Sequence, residues 1–251
     1  KIRRLLTLAG VRRENCVHLG DTPAATDEHW IEQLLRFGGH TPDAWRDMVD
    51  APAPASRSAP VLQVSDVDRA DCAEWSHANG WNTAPLVLLQ PANKRTIRWN
   101  GVRGLEDDKW WPIERWTAIA RAIREAIPDS RILLCGTPRE AAFLGTIRDE
   151  TDDARVHVVA GALPLRRLMA LQEIAHSMIS VDTGPAHTAA ALGCPLVVMF
   201  GKVSPRQWLP RGQDEGKVIA IGGPARGGRV DALSVDEVLA AWIGLATDRI
   251  R

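Results

Sequence analysis

The chain has no tyrosine, three phenylalanines and four cysteines, and its 31 basic and 31 acidic side chains cancel to a formal net charge of zero. Balanced charge gives no support to a role in coating a polyanion, where many phosphates must be neutralised together. No nucleic-acid partner is therefore expected, although a local basic pocket is compatible with global balance. Cys16, Cys72, Cys135 and Cys194 stand far apart, with no C-x-x-C pair and no histidine cluster at metal-ligand spacing. Neither a disulfide framework nor a metal centre is expected from that pattern. Cys135 and Cys194 lie in or beside apolar runs, where a reduced, buried thiol is the plain expectation. No run approaches the ~18 apolar residues of a membrane span. No signal peptide opens the chain, and the expected compartment is the cytosol. Also missing are G-x-G-x-x-G after a strand, a Walker A sequence and a G-x-S-x-G elbow, which disfavours a dinucleotide dehydrogenase in particular. Against these absences stand ten tryptophans, for which the sequence offers no physical reason.

What is present is an ordinary soluble composition over 251 residues, 45% apolar and 25% charged, enough for one large domain or two small ones. Residues 1–50 read as helix, short apolar segment and helix; Ile31, Leu34 and Leu35 with Trp30 and Phe37 mark one helical face that ends at Gly38-Gly39. Residues 51–60 hold prolines at 52, 54 and 60, which favour extended chain and deny a helix. A linker is expected over 51–84. From residue 85 onward short apolar runs (86–90, 131–135, 156–160, 178–181, 196–200, 218–221) alternate with helical patterns at about 114–127, 138–149, 164–176, 185–192 and 234–246. Apolar runs without alternation are strands buried on both faces, and strict strand–helix succession means right-handed βαβ units on a parallel sheet. The fold class is α/β with a doubly wound sheet. Runs ending at Gly136, Gly161, Asp182 and Gly201 mark its carboxyl edge, where open α/β sheets bind ligands.

The segment Ser180-Val181-Asp182-Thr183-Gly184-Pro185-Ala186-His187 reads as strand, tight turn and helix start, with Gly193 closing the helix. Such a start presents N–H groups and partial positive charge, a ready phosphate site. Gly184 admits a close ligand, Thr183 adds a hydroxyl donor, and His187 sits one turn in. Asp182 is suited to accept from sugar or ribose hydroxyls. The plain alternative makes Asp182 or Thr183 a helix N-cap, with His187 facing water. Lys109, on the loop before the helix near Ile113, can reach a phosphate as a point charge or remain a solvated lysine beside Asp107 and Asp108. Glu140, in Gly136-Thr137-Pro138-Arg139-Glu140, can accept from a ribose or simply favour a first turn. Ser204 is a candidate polar lining residue, and Trp208 is expected to pack.

Taken together, Asp108-Lys109-Trp110-Trp111-Pro112 with Glu114-Arg115-Trp116, Gly136-Thr137-Pro138-Arg139-Glu140, and 180–187 continuing through Ala189–Pro195 to Phe200-Gly201 resemble family 9 of the glycosyltransferases, the ADP-heptose:lipopolysaccharide heptosyltransferases. The resemblance covers roughly residues 85–245 and implies a GT-B architecture of two Rossmann-like domains. In it, residues 85–251 would be the nucleotide-sugar-binding domain and 1–50 the tail of a truncated, acceptor-side domain. It further implies an inverting, metal-independent enzyme without cofactor, using an ADP-activated sugar donor and a saccharide or lipid-linked acceptor that would bring it to the inner membrane face. Lys109 and the turn at Thr183-Gly184 would hold the donor diphosphate, Asp182 and His187 the sugar and phosphates, and Glu140 the ribose. The family's general base lies in a Gly-Asp loop of the N-terminal domain that is expected to precede Lys1, so the catalytic base is unassigned. Gly20-Asp21 mimics that loop but precedes the helix near 28–37, and Asp21 is not assigned the role. Segment 94–108 is richer in Arg and Trp than the family pattern. A non-catalytic nucleotide-sugar-binding module and a nucleotide-sugar epimerase on the same fold stand as alternatives.

Overall fold

A computed structural model describes residues 2–48, 59–98, 101–102 and 104–246. The chain divides into two compact units, one from the first 58 residues with Arg206–Trp208, the other from the remainder. In the first unit α1 (Ile2–Leu8) buries no residue, whereas α2 (Trp30–Gly38) buries Ile31. His29 caps α2, its Nδ1 accepting from the Ile31 N–H at 3.2 Å. Trp208 stacks on Trp30 with ring centres 5.8 Å apart, so Trp208 packs as expected.

The second unit contains, in order, α3 (Asp66–Ala78), β1 (Leu86–Gln90), the hairpin of β2 (Ile97–Arg98) and β3 (Gly101–Val102), α4 (Ile113–Ala126), β4 (Arg131–Leu134), α5 (Ala141–Thr151), β5 (Val156–Val158), α6 (Leu165–Ile174), β6 (Ser177–Val181), α7 (Gly184–Ala191), β7 (Leu196–Phe200), β8 (Val218–Gly222) and α9 (Val235–Ala246). A short helix, α8 (Pro205–Trp208), follows β7. Six strands make one sheet in the order β5-β4-β1-β6-β7-β8, every pair parallel. This is the doubly wound α/β sheet that the run pattern anticipates.

Successive strand residues point to opposite faces, so an unbroken apolar run fills two cores at once. Val87 and Leu89 of β1 enter one core with Trp111, Trp116, Ile119 and Trp242, while Leu86 and Leu88 enter the other with Cys72, Leu171, Ala186 and Ala189. In α4 the buried positions Trp116, Ile119, Ala120 and Ile123 follow the i, i+3, i+4, i+7 spacing of one helical face. Trp111 and Trp116 meet edge to face, 5.0 Å between centres. Two of the buried indoles also anchor the core by hydrogen bonds: Trp111 Nε1 donates to the Leu233 carbonyl at 2.9 Å and Trp242 Nε1 to Ser177 Oγ at 2.8 Å. Burial pushes the Cys135 thiol up to about 12, which fits an unreactive core cysteine.

The stretch read as a linker over 51–84 differs in its second half. Residues 66–78 form α3, capped by Ser65, whose Oγ accepts from the Asp68 N–H at 3.2 Å. Its buried side is only Cys72 and Ser76, too faint an apolar stripe to show in the sequence. Cys72 shares a core with Leu171 of α6, and two ion pairs also join the helices, Arg69–Glu173 at 2.9 Å and Arg167–Asp71 at 2.7 Å. The boundary between the units falls after residue 58. The Pro/Ala/Ser run 51–58 lies outside the described residues.

Candidate functional site

From β1 the main sheet runs outward through β4 to β5, and the chain then returns to lay β6 along the other side of β1. A reversal of strand order opens a crevice beyond the carboxyl ends of the two central strands. Here Gln90 of β1 lies level with Ser180 of β6, so Asp182 emerges at that crevice. Its N–H still donates to the Met199 carbonyl at 3.0 Å, and the residue is only 8% exposed.

Lys109 reaches this point from the loop before α4. Its Nζ donates to both the Asp182 backbone carbonyl and Asp182 Oδ2, each at 2.6 Å. On the other side of the carboxylate, His187 Nε2 stands 3.7 Å from Oδ1. Burial pushes the Asp182 carboxyl up, but His187 and Lys109 outweigh it and hold the group below its ordinary value. The lysine is thus no solvated loop residue paired with Asp107 or Asp108. Its ammonium crosses to β6.

The turn after Asp182 is shaped for close approach. Thr183 is extended and sits at the N-cap position of α7, yet no side chain caps that helix; the Thr183 hydroxyl lies 3.2 Å from Ser180 Oγ instead. The start of α7 therefore keeps the partial positive charge of an uncapped terminus. A methyl group placed on Gly184 would meet nothing within 4 Å, so the space before it is open. Behind, α7 is clamped by the fully buried Gln172 of α6: Nε2 donates to the Pro185 carbonyl at 2.9 Å and Oε1 accepts from Thr188 Oγ1 at 2.8 Å.

Two consecutive buried acids steady the loop that carries Lys109. Asp107 accepts from Asn93 Nδ2 at 2.7 Å and from the Lys109 N–H at 3.2 Å. Asp108 accepts from the Lys202 N–H and from Arg95 Nη2, both at 2.9 Å. Burial raises the Asp108 carboxyl, and the Lys202 N–H with Arg95 bring it below its ordinary value. Its backbone carbonyl accepts from the Val230 N–H at 2.9 Å. Sequence reading treats these acids only as neighbours of the lysine. Their adjacency to it and their position on an irregular loop were the available signals.

Glu140 is buried, and one of its oxygens is committed locally: Oε2 accepts from Thr137 N at 2.6 Å and Thr137 Oγ1 at 3.0 Å. That is the capping interaction of a first turn. Ser204 is half-buried on the segment between β7 and α8. In the first unit Asp21 is held by Arg13 and Arg3; partial burial raises its carboxyl, and the two guanidiniums bring it below the usual value. A carboxylate so held is a poor general base. Among the described residues no group of three or more His, Cys, Asp or Glu side chains could hold a metal ion, and no helix is long and apolar enough to cross a membrane.

A sequence model of glycosyltransferase family 9 (heptosyltransferase) matches residues 52–226. Among solved structures the chain is similar to a family 9 glycosyl transferase from Veillonella parvula (16% identity, TM-score 0.63, 83% of this chain and 59% of that one). It is also similar to the E. coli ADP-heptose lps heptosyltransferase II (18%, TM-score 0.57, 80% and 56%). A third likeness is to an E. coli heptosyltransferase solved with ADP (21%, TM-score 0.54, 86% and 56%). The chain thus spans less than three fifths of the length of each of these structures. A search of curated proteins returned no match.

Proposed function

The chain belongs to glycosyltransferase family 9, and we propose that its larger unit is the donor-binding part of a heptosyltransferase. In this reading an ADP-activated sugar lies in the crevice beyond β1 and β6. Its diphosphate sits against the start of α7 and the Lys109 ammonium. Asp182 and His187 flank the sugar end, and Glu140 offers Oε1 to the ribose. The observation that carries the reading is the convergence of Lys109 and the uncapped start of α7 on Asp182, with open space before Gly184.

Transfer breaks the bond between the anomeric carbon and the diphosphate, and the electron pair goes to the phosphate oxygen. An acceptor hydroxyl oxygen takes its place from the opposite face and gives up its proton to a base. The negative charge that grows on the leaving diphosphate is stabilised by the Lys109 ammonium and the α7 terminus, a fixed electrostatic field that strengthens as the bond breaks. These two groups supply what a metal ion would otherwise supply. We propose no described residue as the acceptor base. The acceptor is a saccharide, such as a lipopolysaccharide core, met at the cytoplasmic face of the membrane.

Calorimetric titration of the chain with ADP, UDP, GDP and NAD tests the reading. ADP should bind in preference to the other three. Preference for UDP would retain a nucleotide-sugar site and discard the heptosyltransferase assignment. Absence of binding by a folded chain would remove the donor-site reading altogether.

A further inference from the structure

We propose that Asp182 tunes this site by charge, weakening its hold on the free nucleoside diphosphate left after transfer more than its hold on the diphosphate diester of a sugar donor. The proposal rests on the diphosphate reading above and deepens it.

Lys109 does not wait as an uncommitted cation. Its Nζ holds the Asp182 carboxylate and carbonyl at 2.6 Å each, and the two side chains are only 15% and 10% exposed. The pair is close to neutral, and His187 at 3.7 Å adds at most one positive charge. An anion that binds the same ammonium must place its oxygens within about 4–5 Å of Asp182 Oδ2, because both acceptors share one nitrogen at hydrogen-bond distance. At that separation, in a site largely withdrawn from water, each further negative charge is repelled appreciably.

Donor and product differ in that charge. In the donor both phosphates are esterified, and the diphosphate carries two negative charges. Once the sugar leaves, the terminal phosphate gains an ionisation with a pKa of about 6. Near pH 7.5 the product therefore carries about one charge more, on the phosphate that held the sugar. A carboxylate fixed beside the phosphate-binding lysine offsets part of the attraction that Lys109 and the α7 terminus exert on the product's extra charge, and so assists product release. A neutral amide of the same shape keeps the hydrogen-bond acceptor and loses the repulsion.

The test uses two ligands without a sugar: ADP, and ADP methylated on its terminal phosphate, which carries only two charges. The full chain and Asp182→Asn are titrated calorimetrically with both at pH 7.5. The unmodified chain should prefer ADP over the methyl ester by no more than about three-fold. In Asp182→Asn, ADP should tighten about ten-fold, while the ester changes less than about three-fold. A purely structural role for Asp182 would shift both ligands alike, and that result overturns the proposal. A preference for ADP over the ester above about ten-fold in the unmodified chain also overturns it, whether or not the variant folds. If neither ligand binds the folded chain, the diphosphate reading itself fails, and that outcome is distinct from the other two.

Discussion

Lys109 and Asp182, 73 positions apart in the chain, are joined by two 2.6 Å hydrogen bonds from a single ammonium. Removing the lysine leaves a mostly buried carboxylate with His187 Nε2 3.7 Å away. Lys109→Met should therefore lower stability by about 2–4 kcal/mol, since breaking one side of a buried pair strands the other charge. The sign with pH follows from the depressed Asp182 carboxyl. Its contribution is present above the unfolded-state value near 4 and is lost as pH falls through the lower folded-state value. Acid unfolding curves of the variant should be shallower below pH 4. Equal stability and equal acid slopes would mean that the pair is not formed.

Gly201 admits no side chain. A methyl group there would collide with the Asp108 carboxylate and backbone, in the segment that places Lys109. Gly201→Ala should cost about 1–3 kcal/mol through overpacking, measured as a lower midpoint in denaturant. Little or no change in midpoint would show that the 107–109 loop can move aside.

His157 of β5 lies against Trp81, ring centres 4.7 Å apart, and its buried Nε2 has no hydrogen-bond partner among the described residues. Burial first, then Arg131, lowers its pKa, with Asp153 opposing. The neutral ring is therefore favoured in the fold. Stability is retained above the unfolded value near 6.5 and declines as pH falls toward the folded value. Thermal midpoints between pH 7.5 and 5 should drop less in His157→Phe than in the unmodified chain. Parallel curves for the two would remove His157 as the cause.

How much of this was visible in the sequence varies with the physics of each element. All six strands of the main sheet were legible, because apolar runs buried on both faces leave an unbroken signal. Asp182, Thr183, Gly184 and His187 were legible as a group because one strand–turn–helix holds them together. Lys109 was legible as a residue but not in its partner, since the choice between Asp107 and Asp182 is made by tertiary packing. The β2–β3 hairpin was missed because each strand is two residues long. Gln172, an ordinary polar residue within a helical pattern, gave no sign that it clamps α7 from behind.

Glu140 separates a cap from a ribose contact. Its Oε2 is held by Thr137. Glu140→Gln should weaken ADP about three- to ten-fold, the loss of a charge-assisted bond, and leave inorganic pyrophosphate unaffected. Equal weakening of both ligands would point to a disturbed turn at 137–140 and away from a ribose partner.

The most direct test of the central claim is the affinity of ADP for the chain and for Lys109→Ala, both shown to be folded. Loss of one charge-assisted contact to the diphosphate should cost about 1.5–3 kcal/mol, a weakening of ten-fold or more. The account predicts that drop. Unchanged ADP affinity in Lys109→Ala would contradict it, because the ammonium beside Asp182 would then hold no phosphate.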